Sequence, residues 1–322
     1  MRADGSGVQR LTDTISNSGQ PCWLYTPTPS LNGTLKLPVR QRWQTSYITP
    51  LDVKLSQAGV GRQRCLPTTL AQGVFTILDI PRASYTVWLK QAQALAMTLP
   101  VDLTHVPSAG LDFGTLRMGD VNDSNAIDIS DFSLLAASFG KTTGQAGFDA
   151  RADLDASGAV NINDFSLLAS NFGQSGAPDP DGGMLSAAAS DFSRRTVDLT
   201  IRAVSRLRIG DEMMVTVRAR TGLQPIDAAT LTVEYDPSRL EAIAVVPGAA
   251  LNHVLDSTQI PGRINFSAGA LETSPQGNIS LLTLHFPALT TGETMIAITG
   301  GDVRYQGAAL MNALESRTIT VR

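Results

Sequence analysis

The chain has 322 residues, with 25 Lys and Arg against 29 Asp and Glu and a formal net charge of −4. That balance offers no basic footprint for nucleic acid, and no run reaches the ~18 consecutive apolar residues of a membrane-crossing helix. The length allows two or three domains, and a charged fraction of 17% with many Thr, Val, Gly, Ala and Pro suits β-rich modules.

The opening MRADGSGVQRLTD is polar throughout and lacks the apolar core of a signal peptide. Residues 2–25 carry a DGSG turn, an RLT strand and the element Pro21, Cys22, Trp23. In these features they resemble part of one blade repeat of a TolB-like propeller. A single partial repeat cannot fold as a propeller, so the resemblance implies that Met1 is not the native start and that a larger protein was cut there. The alternative is a disordered arm. TPTPSLNGT, residues 26–34, reads as a linker. The only cysteines, Cys22 and Cys65, form no metal motif; they either pair in an oxidising compartment or stay free and buried.

Residues 35–116 read as a small β-domain. LDVKLSQ (51–57), GVFTILDI (73–80) and SYTVWLKQ (84–91) place apolar residues at alternate positions, with Pro81 at a turn. The pattern resembles small Ig-like or carboxypeptidase-regulatory-like sandwiches. Trp43, Tyr85 and Trp88 are either a sugar-stacking surface or core, core being the commoner use of such residues.

Residues 117–176 contain one unit written twice. GDVNDSNAIDISDFSLLAASFG begins at Gly119, DLDASGAVNINDFSLLASNFG begins at Asp153, and DFSLLA is identical at 131–136 and 164–169. Asp120 and Asp153 are 33 residues apart, so one supersecondary unit is used twice. Counted from those residues, positions 1, 3, 5, 9 and 12 are Asp120, Asn122, Ser124, Asp128 and Asp131 in the first copy. In the second they are Asp153, Asp155, Ser157, Asn161 and Asp164. All carry hard oxygens, and a calcium loop uses these positions together with a backbone carbonyl at position 7, here Ala126 and Ala159. Position 6 needs a left-handed turn, which suits Gly158 and, next best, Asn125. Ile127 and Val160 at position 8 are suited to pairing the loops back to back. The shorter Asp at position 12, in place of Glu, must draw the exiting helix closer to the ion. Helical spacing follows each loop, with Phe132, Leu135, Phe139 and Phe165, Leu168, Phe172, and Gly140 and Gly173 as stops. FGTLRMG (113–119) looks extended, so no helix enters the first loop.

In these residues 117–176 resembles a type I dockerin, a module of two calcium loop–helix repeats with Asp at position 12 and no entering helix. The resemblance implies two Ca2+ ions and a cohesin-bearing partner. The family's partner-binding positions fall on Ile129, Ser130, Ala136 and Ala137 and on Ile162, Asn163, Ala169 and Ser170. They depart from the Ser-Thr pair of well-known dockerins and lack basic residues, which implies a more apolar recognition surface. Ile129 and Ile162 either meet a partner or pack within the module. The two faces are similar enough that either could bind, with the module turned by half a turn. Ser at position 5 in both loops predicts weaker calcium binding than an all-Asp loop.

Residues 177–195, rich in Pro, Gly, Ala and Ser without a period, read as a linker that leaves its neighbours free to move. Residues 196–322 read as a second sandwich: TVDLTIRAV, EMMVTVRAR, AATLTVEYD, GRINFSAGA, ISLLTLHFP, ETMIAITGG and RTITVR are short strands separated by turns. Gly210 and Asp211 before a strand, LTVEYDP (231–237), Leu240, GRINF (262–266) and LTLHF (282–286) resemble a cohesin, which implies a jelly-roll sandwich that accepts a dockerin. An unrelated sandwich is the alternative.

No nucleophile elbow, P-loop or zinc-binding HExxH is present, and His105, His253 and His285 have no His or Cys partner at metal spacing. His285 alternates with Leu284 and Phe286 and reads as solvent-facing or satisfied. Glu234 and Asp236 would share a strand face, but Pro237 ends the strand. Carboxylates that hold calcium stay ionised and cannot serve as general acids. The expectation is a mainly β multi-domain chain: 1–34 propeller remnant and linker, 35–116 small β-sandwich, 117–176 all-α calcium-binding dockerin, 177–195 linker, 196–322 cohesin-like sandwich. Its expected role is that of a non-catalytic extracellular adaptor in a cellulosome-like polysaccharide-degrading assembly. It would bind a cohesin-bearing protein through 117–176 and a dockerin-bearing protein through 196–322, and possible carriers of a different role are a carbohydrate-binding module or the tail of a secreted glycoside hydrolase. The module folding back on its own sandwich is a further alternative.

Overall fold

A computed structural model describes residues 8–10, 23–25, 28–38, 40, 48–57, 60–70, 72–181 and 197–322. They fall in two compact units. The first draws on Met1–Gln91, Ala96–Leu116 and Ala177–Gly182, and the second on Ala92–Leu95, Arg117–Gly176 and Gly183–Arg322. Most of the stretch read as a propeller remnant, together with Cys22 and Trp43 and residues 182–195 of the stretch read as linker, lies outside the described residues.

In the first unit β1 (Val8–Arg10) pairs antiparallel with β2 (Trp23–Tyr25). The others are β3 (Ser30–Lys36), β4 (Asp52–Gln57), β5 (Val60–Cys65), β6 (Val74–Ile77), β7 (Ser84–Lys90), β8 (Met97–Asp102) and β9 (Ser108–Thr115). They form a three-stranded sheet, β6-β3-β9, and a four-stranded sheet, β5-β4-β7-β8. The alternation read at 51–57, 73–80 and 84–91 reappears as burial of Val53, Leu55, Phe75 and Val87. Residues 30–34, read as linker, belong instead to β3, whose Leu31 and Leu35 also point inward. Trp88 and Tyr85 are core residues, only 1% and 8% exposed.

The start of the stretch read as linker is held firmly in this unit. Lys54 Nζ, under a largely buried side chain, lies 2.7 Å from Asp179 and 2.8 Å from Asp181. The ammonium sits 5.0 Å from the centre of the Trp88 ring, and the Trp88 indole N–H donates to the Ala177 carbonyl at 3.0 Å. Burial works against the charge on Lys54, but the two carboxylates outweigh it and raise its pKa.

The second unit contains α1 (Ile129–Ser138) and α2 (Ile162–Ser170), followed by a strand-rich half. Its strands are β10 (Val197–Arg202), β11 (Arg206–Leu207), β12 (Glu212–Gly222), β13 (Ala228–Tyr235), β14 (Ala244–Pro247), β15 (His253–Ile260) and β16 (Arg263–Gly269). They continue with β17 (Gly277–Pro287), β18 (Gly292–Tyr305), β19 (Ala308–Ala309), β20 (Met311–Leu314) and β21 (Ser316–Val321). One sheet runs β14-β17-β12-β10-β20, the other β11-β21-β18-β13-β16-β15 with β19 on β18. Strict alternation along β12 turns Met213, Val215, Val217 and Ala219 inward. They join Leu231, Val233, Ile264, Phe266, Ile296 and Ile298 of the other sheet in one apolar core.

Every strand expected in 196–322 is present, and β11, β14, β15, β19 and β20 are added. The β15 strand was not legible because most of its residues are half-buried or exposed and show no alternation. Its register comes from antiparallel pairing with β16. β13 ends at Tyr235, and Asp236 beyond it accepts from the Ser238 amide and hydroxyl, a turn role rather than a catalytic one. His285 Nδ1 lies 2.5 Å from Glu212 Oε1 and is thus a satisfied histidine.

Asp179→Ala should unlatch residues 177–181 and destabilise the first unit by roughly 3 kcal/mol, the low end for breaking a buried pair because Asp181 remains. Urea denaturation and amide exchange at Ala177 measure it; unchanged stability and protection would show that the latch contributes nothing.

Candidate functional site: two carboxylate loops and the face of the first helix

The two loops are built on the same backbone frame. In the first, Asp120 accepts from the amides of Ser124 and Asn125, both at 2.8 Å. In the second, Asp153 accepts from Ser157 at 2.9 Å and Gly158 at 2.8 Å. The last acid closes each loop: Asp131 accepts from Asn122 and Asp128, and Asp164 from Leu154, Asp155 and Asn161. Asp128 and Asn161 are also helix N-caps, so each loop ends in a capping box. The left-handed turn expected at position 6 is present, with φ of 68° at Asn125 and 86° at Gly158. A second left-handed residue, at position 4 (Asp123, φ 61°; Ala156, φ 55°), was not foreseen, since neither residue type demands it.

These loops suit a divalent cation. The nearest carboxylate oxygens of Asp153, Asp155 and Asp164 lie within 4.8 Å of one another, the span expected of oxygens about 2.3–2.6 Å from one shared ion. Asp120, Asp131 and Asp164 are fully buried, and Asp153 nearly so. Burial pushes the Asp131 carboxyl up to about 7, against the amide bonds it accepts, and raises Asp153 and Asp164 as well. A cation reverses that penalty. A carboxylate has about four acceptor sites, so the amide bonds leave room for an ion. Asn122, Asp128 and Asn161 accept from the amides of Ser124, Ser130 and Asn163, and the Ala126 and Ala159 carbonyls accept from Ser124 Oγ and Ser157 Oγ at 3.2 Å.

Ile127 and Val160 are both fully buried in one apolar core, and their backbones tie each loop further. Ile127 exchanges bonds with Gly173 and Gln174, and Val160 with Gly140 and Lys141, so each loop is tied to the chain leaving the other helix. Gln93, outside the stretch read as the module, joins both loops. Its carbonyl accepts from Gly119 and Asp120, and its amide donates to the carbonyls of Ala150, Arg151 and Asp153. No sequence signal pointed to it, because these bonds are made to backbone atoms.

The two helices, identical over DFSLLA, meet different surroundings. α1 lies on β13, β16 and β18, and its apolar residues share one core with Ala228 and Leu271 of the strand-rich half. Ser133 is fully buried and donates to Asp227 Oδ1 at 2.7 Å, while its own oxygen accepts from the Gly307 amide at 2.7 Å. Asp227 Oδ2 accepts from the Gln306 amide at 2.6 Å. Burial drives the Asp227 carboxyl up to about 6, although these donors and nearby Arg304 pull it down. The Phe132 ring occupies the space above Gly269: a Cβ there would sit 1.9 Å from it. Phe165 stacks edge-on to Phe132 and His253, with centroids 6.0 and 5.4 Å away.

Of the proposed partner residues, Ile129 and Ser130 are buried, Ala136 is half-buried and Ala137 exposed, while Ile162, Asn163 and Ser170 are exposed and Ala169 half-buried. Ser166, the counterpart of Ser133, is exposed and bonds the Ile162 carbonyl of its own helix at 2.7 Å. Phe132, Ser133 and Leu134 carry the α1 contact; they were legible as helix residues, but nothing in the chain's periodicity marked them as facing the sheet.

Residues 118–172 match the dockerin type I domain family. The chain is similar to the cohesin module of a family 33 glycoside hydrolase from Clostridium perfringens at 14% identity, over 40% of this chain and 98% of that one, with a TM-score of 0.37. It is similar to a non-cellulosomal cohesin from the hyperthermophilic archaeon Archaeoglobus fulgidus at 19% identity, over 39% of this chain and 91% of that one, TM-score 0.34. A chain of a type II cohesin–X–dockerin complex from Acetivibrio cellulolyticus is 19% identical over 46% of this chain and 97% of its own, TM-score 0.38. No curated protein matches the chain.

Ser133→Ala should leave Asp227 buried with one donor fewer and cost about 1–3 kcal/mol of local stability. It is read as faster amide exchange at Gly307, with Ser166→Ala as the control that changes nothing there. Equal effects of the two substitutions would contradict the asymmetry.

Proposed function

We propose that the chain is a non-catalytic, extracellular assembly protein whose 117–176 module binds a cohesin-type sandwich, in the polysaccharide-degrading setting that type I dockerins imply. On this reading 196–322 is itself a cohesin-type sandwich that accepts such a module. The carrying observation is the convergence of Asp153, Asp155 and Asp164 oxygens within 4.8 Å at loop positions 1, 3 and 12, on a backbone frame repeated around Asp120, Asn122 and Asp131. The match of 118–172 to type I dockerins supports it.

In this reading two calcium ions are held by Asp120, Asn122, Ser124, Ala126, Asp128 and Asp131, and by Asp153, Asp155, Ser157, Ala159, Asn161 and Asp164. The ion supplies charge neutralisation for the buried acids. The residues do the rest: Asp131 and Asp164 tie the end of each loop to the first turn of its helix, and the helices present the recognition surface. A module this small builds little core, so ion binding and folding are coupled. Among the described residues no helix is long and apolar enough to cross a membrane.

Calorimetry of the calcium-stripped full chain should give two binding events, and Asp131→Ala and Asp164→Ala should each remove one. Ser124→Asp or Ser157→Asp should tighten its own site, since affinity rises with ligand charge. A panel of purified cohesin modules should bind the chain in calcium and release it in EDTA. No calcium heat at all would overturn the reading.

A further inference from the structure

The outer face of β13, β16 and β18 is shaped for what lies on it. Gly269 has no side chain, and the three atoms nearest its missing Cβ all belong to the Phe132 ring. Asp227, 3% exposed, meets the Ser133 hydroxyl on one oxygen and the Gln306 amide on the other. The Gly307 amide completes the seat by donating to Ser133. A helix without a hydroxyl at this point would leave a buried carboxylate short of a donor, a penalty that selects for Ser or Thr. The next residue is constrained too: Leu134 lies against Gly307, whose missing Cβ would be 2.9 Å from it.

The same Phe-Ser-Leu triplet recurs at Phe165, Ser166 and Leu167, and there Ser166 faces outward with Ile162 beside it, 54% exposed. One chain therefore carries one seat and two copies of the feature that fills it.

We infer that this seat reads the Phe-Ser pair, that the chain's own first helix holds it shut, and that its exchange partner is the loop–helix module of a second copy of this chain. The inference rests on the assembly reading above. When a module leaves its seat, seat and module are exposed together. Two opened chains then satisfy each other by reciprocal exchange, which closes without leaving a new surface. At ordinary concentrations the chain's own module wins, because a short tether presents it at an effective concentration on the order of millimolar.

Two full-length variants separate the halves. Gly269→Phe fills the seat and leaves both helices unchanged. Ser133→Arg with Ser166→Arg leaves the seat intact and spoils both helices. Mixed in calcium, they should sediment as a one-to-one complex that EDTA dissolves. The wild-type chain should bind Gly269→Phe at least about 100-fold more weakly than the double-Arg chain does, because its seat is already filled. Two results overturn the inference: no association between the variants, or wild-type binding as tight as that of the double-Arg chain. If Gly269→Phe ignores the double-Arg chain yet binds a purified foreign cohesin in calcium, the inference falls and the assembly reading stands. If it binds neither, both fall. Each variant is compared with the wild type by thermal melting, and Gly269→Ala, which also collides with Phe132, replaces Gly269→Phe if the larger side chain misfolds.

Discussion

The carboxylate at the end of each loop is the joint on which the module depends. Asp131 binds the Asn122 amide near the loop's start and the Asp128 amide at the helix N-cap, and Asp164 does the same between Leu154, Asp155 and Asn161. One side chain thus fixes both the closure of the loop and the direction of the helix. That helix start also favours negative charge through its orphan amides and dipole. The residual cost is burial: Asp131 and Asp164 have no exposed surface, and their acidity is weakened accordingly. A cation held by these carboxylates would balance this.

A second pairing, between Ser133 and Asp227, carries the orientation of α1 to the sandwich. Asp227 stands just before β13 and is bonded on both oxygens, and the Gly307 amide approaches the same hydroxyl from beyond β18. Polar atoms at the centre of an apolar contact contribute position more than affinity, because only one placement satisfies all of them. The Phe132 ring above Gly269 adds the shape restriction. Asp131 of the first loop and Phe132, Ser133 and Leu134 at the sheet stand within one turn of the same helix.

A third element bears on how the parts are joined. Residues Ala177, Asp179 and Asp181 bind Trp88 and Lys54, so this Pro- and Gly-rich stretch is ordered at its beginning. Composition alone had suggested free movement. A lone Lys among strand residues gives no sign that two distant acids will meet it, since such pairing depends on where the fold returns the chain.

Much of the molecule was legible in its residues. Period-two alternation exposed β4, β6 and β7 and most strands of 196–322, though not β3, which lay partly in a stretch read as linker; the doubled spacing of Asp, Asn and Ser exposed the loops, because both patterns are local and dictated by backbone geometry. The left-handed residues at position 6 followed from the side chains able to adopt them. Strand β15 and the backbone ties of Gln93 were not legible, as they arise from pairing with distant backbone, and the position-4 turns were not because neither Asp123 nor Ala156 demands a left-handed conformation. The sharpest limit is DFSLLA itself. Sequence determined that 131–136 and 164–169 both fall in helices that carry the same Ser. Only tertiary structure decided that Ser133 is buried on Asp227 while Ser166 faces outward, because the six residues are identical and what lies opposite them is not.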